Sequence, residues 1–219
     1  MKVLAEFLGS FLFMSVIALM APSGSPFTPI VVGIGLMCAV YFAGPTSGAH
    51  FNPAVSLAVW MQKKMEFKDF LAYVVAQILG ACAAFGFGGW ITASSGGIKP
   101  GLNPVTAQDF TTTQALAVEI FFTMFLCLVI FHVAINKKSA GNSYFGIAIG
   151  MTIAAAASAG GWISGGAFNP AVGIGATAMG VIFEDRSWDH LLIYILGPLL
   201  GGALASTIYG IQTVGEDGG

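Results

Sequence analysis

The sequence predicts an all-α membrane protein in which six transmembrane helices and two re-entrant half-helices form an inverted repeat. Three observations carry that prediction. Charge is scarce: of 219 residues, 56% are hydrophobic and only 8% charged, where an ordinary soluble domain has about 25% charged. The apolar residues come in blocks close to the roughly 20 residues that cross a bilayer. A nine-residue segment also recurs, once in each half of the chain.

The blocks fall near 4–21, 28–46, 70–91, 113–134, 145–160 and 191–211. Lipid offers the backbone no hydrogen bonds, so each block must be a helix. Residues 1–24 share some features of a cleaved leader, namely Lys2, an apolar run and then small residues. The length of the run, the presence of Glu6 and a matching segment later in the chain favour a retained span. Lys2, Lys63, Lys64, Lys68, Lys137 and Lys138 lie at the N-terminus or in the connections leading to spans three and five, whereas Lys99 and Arg186 lie on the other side. By the positive-inside rule both termini are expected in the cytoplasm. A net charge of −2 argues against a nucleic-acid partner. Cys38, Cys82 and Cys127 sit within apolar blocks, where a buried hydrophobe is the expected role. Their spacing suggests neither a disulfide nor a metal site.

The repeat organises the chain. Residues 47–55 read SGAHFNPAV and residues 164–172 read SGGAFNPAV, with seven of nine positions alike and Asn169 lying 117 positions after Asn52. At the same spacing Ile78-Leu79-Gly80 recurs as Ile195-Leu196-Gly197, and Ala5-Glu6-Phe7 resembles Val118-Glu119-Ile120. One domain over 1–219 is expected, built from repeats of about 1–111 and 112–219. Each repeat holds three spans, an odd number, so the second enters the membrane from the opposite side. Inverted repeats of this kind place a solute path at their interface, often with broken helices.

The segments Pro53–Gln62 and Pro170–Met179 are apolar but only about ten residues long. As helices they reach about 15 Å, half of the hydrocarbon core, so each must dip in and return. Proline suits the first helical turn, and asparagine before it suits the N-cap. The amide NH₂ of Asn52 and Asn169 is then expected to be free to donate into a lumen. Two helix N-termini, each carrying about half a positive charge, would meet there and oppose cations.

These residues resemble the major intrinsic protein family, the aquaporins and aquaglyceroporins, over nearly the whole chain. The resemblance rests on Ala5-Glu6-Phe7, on residues 47–55, on Gln77 with Gly80, on Glu119, on Phe168-Asn169-Pro170-Ala171 and on Gly197-Pro198. It implies a passive channel for small neutral solutes and water, embedded in membrane lipid, with no cofactor and no metal. It further implies a homotetramer in which each subunit has its own pore. The two Asn-Pro-Ala motifs, Asn52-Pro53-Ala54 and Asn169-Pro170-Ala171, would form the centre of that pore. Glu6 and Glu119 would support the re-entrant loops, and His50 would anchor the cytoplasmic one.

The chain departs from the family pattern at the outer constriction. Most members follow the second Asn-Pro-Ala with arginine, and here Val172 takes that place. The other constriction positions correspond to Val32, Ala157 and Gly166. All four are apolar and small or medium-sized, so the filter loses its guanidinium donors and should be wide. That favours glycerol, urea or arsenous acid over a water-only pore. A bacterial subgroup with valine here is associated with arsenic resistance, which makes metalloid passage across a bacterial plasma membrane the expectation. A water-selective aquaporin is the alternative, with width set by Trp162, Phe168 or Phe110. A secondary transporter is less favoured, because coupling needs ionisable groups near the midplane and only Glu6 and Glu119 offer them. His132 and His190 read as span-end residues. No nucleophile–base pair or phosphate loop suggests an enzyme.

Overall fold

A computed structural model describes residues 1–92, 110–184 and 187–214. Lys99 and Arg186, counted above for orientation, lie outside the described residues. The helices are α1 (Lys2–Met20), α2 (Thr28–Ser47), α3 (Pro53–Met61), α4 (Phe67–Thr92), α5 (Thr112–Ile130), α6 (Phe145–Ser164), α7 (Pro170–Glu184) and α8 (Leu191–Gln212). Six of them are long and apolar enough to cross a membrane, and the chain is an integral membrane protein.

Local chemistry sets the ends of these helices. Thr111 and Gln114 form a reciprocal capping box at the start of α5, with bonds of 2.8 and 3.3 Å, satisfying two otherwise orphaned donors. Both α2 and α6 stop at a left-handed glycine, Gly48 and Gly165, each at φ 89°. The fourth span continues past α5 as a π-helical turn, Phe131–Ile135.

Small residues let the helices approach closely, as expected where lipid supplies no hydrophobic drive between them. Where α2 crosses α6, a Cβ on Gly33 would lie 2.5 Å from the Gly150 carbonyl oxygen, and one on Gly150 would lie 2.5 Å from that of Gly33. α1 packs on α4 and α5 on α8 in the same manner. The half-helices then fit inside the ring of spans, α3 against α8 and α7 against α4.

Two expectations need correction. The second half-helix runs to Glu184, 15 residues instead of about ten. The expected end at Met179 is followed by Gly180 and three more apolar residues, Val181, Ile182 and Phe183, and the helix continues through them. Cys38 is exposed on the outer face and Cys82 is half-buried, and only Cys127 is buried.

Candidate functional site

The amino ends of α3 and α7 meet inside the bundle. Asn52 caps α3, its Oδ1 accepting from Ala54 N at 2.9 Å, and Asn169 caps α7 by the same contact to Ala171 N at 2.9 Å. Each amide nitrogen then crosses to the other repeat. Asn52 Nδ2 donates to the Phe168 carbonyl at 2.9 Å, and Asn169 Nδ2 donates to the Phe51 carbonyl at 2.8 Å. The expectation of a wholly free NH₂ is therefore corrected. One N–H of each amide is committed to the opposite tip, and one remains for the lumen.

Phe51 and Phe168 offer those carbonyls because their backbones are left-handed, at φ 49° and 48°. For a bulky side chain that conformation costs about 1–3 kcal/mol and persists only when its surroundings impose it. A buried carboxylate does so in each repeat. Glu6 accepts from His50 N at 3.0 Å, Phe51 N at 2.8 Å and Ser47 Oγ at 2.6 Å. Glu119 accepts from Ala167 N at 3.0 Å, Phe168 N at 2.6 Å and Ser164 Oγ at 2.7 Å. Hydrogen bonds from backbone donors compensate the charge for its lost hydration.

Further side chains support the loops, and of these Tyr73 and Tyr194 escape a sequence reading. Tyr73 donates to the Ser47 carbonyl and Tyr194 to that of Ser164, both at 2.7 Å. They do the same work but do not occupy equivalent repeat positions, so the internal match could not pair them. Gln77 donates to Glu6 at 2.8 Å and to Ser56 Oγ at 2.9 Å. His50 Nδ1 lies 3.0 Å from the same hydroxyl. Ser47 and Ser164 did carry a signal, since both belong to the repeated segment.

A cavity runs past the two asparagines. Val32, Ala157 and Gly166 lie in its wall, together with Asn52, Asn169 and His50, and most of the remaining wall is aliphatic. No lysine or arginine among the described residues lines it. Val172 is 1% exposed and does not belong to the wall. Gly166 cannot be replaced without strain. It sits at φ 72°, and a Cβ there would come 2.9 Å from the Gly161 Cα. What the arrangement offers is a narrow apolar passage with a few donors and carbonyls near its middle, on which a neutral polar molecule can exchange hydrogen bonds.

Comparison with known proteins agrees with this geometry. Residues 1–209 match the family model described as major intrinsic protein. Aquaporin AqpM of Methanothermobacter marburgensis is 30% identical, with 95% of each chain covered. Glycerol uptake facilitator protein-like 6 of Lactiplantibacillus plantarum is 31% identical, with 94% of each chain covered. The X-ray structure of the aquaglyceroporin from Plasmodium falciparum has the same fold, with a TM-score of 0.85 at 21% identity, covering 95% of this chain and 94% of that one.

Proposed function

The chain belongs to the major intrinsic protein family, whose members are passive membrane channels for water and small solutes and not enzymes, and we propose that this one is aquaglyceroporin-like. It passes glycerol, arsenous acid and comparable neutral solutes together with water. The observation that carries the reading is a cavity wall without a cationic side chain among the described residues, in which Val32, Ala157 and Gly166 stand beside the two asparagines. Val172, at the position that usually holds the filter arginine, is buried outside that wall and leaves the outer constriction without a guanidinium. A solute passing through the channel is held by hydrogen bonds to backbone carbonyls and to Asn52 and Asn169. The relative named for glycerol uptake supports the same reading.

The chain acts as a homotetramer with one pore per subunit, in a bacterial plasma membrane with both termini cytoplasmic. Lys63, Lys64, Lys68, Lys137 and Lys138 support that orientation. The pore is shared between repeats of about 1–111 and 112–219, and the bonding around Glu6 and Glu119 supports that division. Stopped-flow permeability of proteoliposomes to water, urea, glycerol and arsenous acid tests the proposal. Val172→Arg should reduce glycerol and arsenous acid passage more than water passage. Water passage with no glycerol or arsenous acid passage in the unmodified protein would favour a water-selective aquaporin. Equal solute permeability of both proteins would remove the role assigned to position 172.

A further inference from the structure

The two ends of the cavity are lined by different residues, and the pseudo-two-fold relation lets them be compared position by position. Glu6 and Ser47, bonded at 2.6 Å, mark one level. Measured from it at 1.5 Å per residue, Ile17 lies about 16 Å along α1 and Val32 about 22 Å along α2, beyond the asparagine pair. Glu119 and Ser164, bonded at 2.7 Å, mark the opposite level. Ile130 and Ile149 lie the same distances back from it along α5 and α6. The cavity therefore has an outer layer with Ile17, Val32, Gly166 and Ala167, and an inner layer with Ile130, Ile149, Ala49 and His50.

Each of these four outer residues has an inner partner in the other repeat, Ile17 at the 113-position spacing that separates Glu6 from Glu119 and the other three at 117 positions. Ile17 pairs with Ile130, Val32 with Ile149, Gly166 with Ala49, and Ala167 with His50. One pair is equal in size, and in the other three the inner member is larger. The inner layer also holds the one imidazole of the cavity wall. His50 is fixed in place through Nδ1 and Ser56 Oγ at 3.0 Å, and its ring packs edge-on to Tyr73 at 5.3 Å. Its Nε2 has no hydrogen-bond partner among the described residues, so it is available to a passing solute.

We infer that the size limit of this channel is set on the inner side of the asparagine pair, by the ring of Ile149, Ile130 and His50, with His50 Nε2 as the polar contact. The outer constriction acts as an antechamber. The inference rests on the proposed solute channel and adds where its selectivity resides.

The test is stopped-flow permeability of proteoliposomes to water, glycerol and a four-carbon polyol, for Ile149→Ala, His50→Ala, His50→Asn and Val32→Ala. Ile149 makes no polar contact, so its truncation guards against a His50 variant that does not fold. Ile149→Ala is expected to raise the ratio of four-carbon polyol to glycerol about tenfold, the lower end of what one or two methylenes are worth in a tight apolar site. His50→Ala should raise the ratio similarly, and His50→Asn should raise it while keeping a larger share of glycerol passage. Val32→Ala should change the ratio less than Ile149→Ala. An equal or larger change with Val32→Ala overturns the inference and returns the size limit to the outer side. Should the unmodified protein pass water alone, the solute-channel reading fails by itself. Admission of glycerol by Ile149→Ala would still place the limit in the inner ring, and admission by Val32→Ala alone would refute it.

Discussion

Exchanging Glu119 for glutamine replaces one carboxylate oxygen by an NH₂ in a fully buried site. The remaining oxygen is best used by the two donors at Oε1, Ser164 Oγ and Ala167 N. The NH₂ then faces Phe168 N, and a 2.6 Å charge-assisted bond becomes donor against donor. Turning the amide over is worse, because two donors would then face the NH₂. Losing a hydrogen bond to a charged group costs about 1.5–3 kcal/mol. The same bond holds Phe168 left-handed, a conformation that itself costs about 1–3 kcal/mol. As Phe168 relaxes, its carbonyl leaves Asn52 Nδ2, and the tip of α3 loses its fixed orientation. Glu119→Gln should therefore lower stability by about 2–3 kcal/mol and reduce water permeability per channel. Ser164→Ala removes a hydroxyl that donates to Glu119 at 2.7 Å and accepts from Gly166 N at 3.1 Å, and should cost about 1.5–3 kcal/mol. Unfolding of the purified protein in detergent, followed by circular dichroism, measures the first effect, and proteoliposome shrinkage measures the second. An unchanged unfolding midpoint together with unchanged water flow would refute the idea that this carboxylate imposes the loop conformation.

Two further outcomes follow from packing and from cysteine placement. A Cβ at Gly202 would meet the Ala54 carbonyl at 2.5 Å, in the first turn of α3, so Gly202→Ala should cost about 1–3 kcal/mol through overpacking and slow water flow. Gly86→Ala is the comparison, because its nearest neighbour is the flexible Met179 Sδ at 3.6 Å, and equal melting behaviour of the two variants would contradict the packing argument. None of Cys38, Cys82 and Cys127 lines the cavity, so mercurials should leave water permeability nearly unchanged. Strong inhibition that disappears in Cys127→Ser would show that the pore wall reaches further into α5.

The spans were legible because a bilayer imposes one length and one composition on every helix that crosses it. Asn52 and Asn169 were legible because the repeat presents each twice in the same setting, and a tripeptide that alone suggests only a turn then acquires a place in three dimensions. The crossed amide bonds were not legible. They join residues more than a hundred positions apart, and the helix-cap rules account for the asparagine oxygen but say nothing of its nitrogen. The left-handed Phe51 and Phe168 break a local preference, and only the buried carboxylates explain why. The phenylalanines are nevertheless in the repeat, so a bulky residue kept just before each asparagine was a signal that could have been read. The full length of α7 was missed because both half-helices were expected at about ten residues, whereas apolar residues continue past Met179.

The exchange of hydrogen bonds between the two tips also bears on how the chain is made. During synthesis the first hairpin of spans and its dipping segment emerge before the second, and at that stage the amide of Asn52 and the carbonyl of Phe51 have no protein partner. A hydrocarbon interior leaves such groups unsatisfied at a cost of several kcal/mol each. The tip of each re-entrant segment is thus satisfied only in the presence of its twin, so neither half of the chain completes the pore centre by itself.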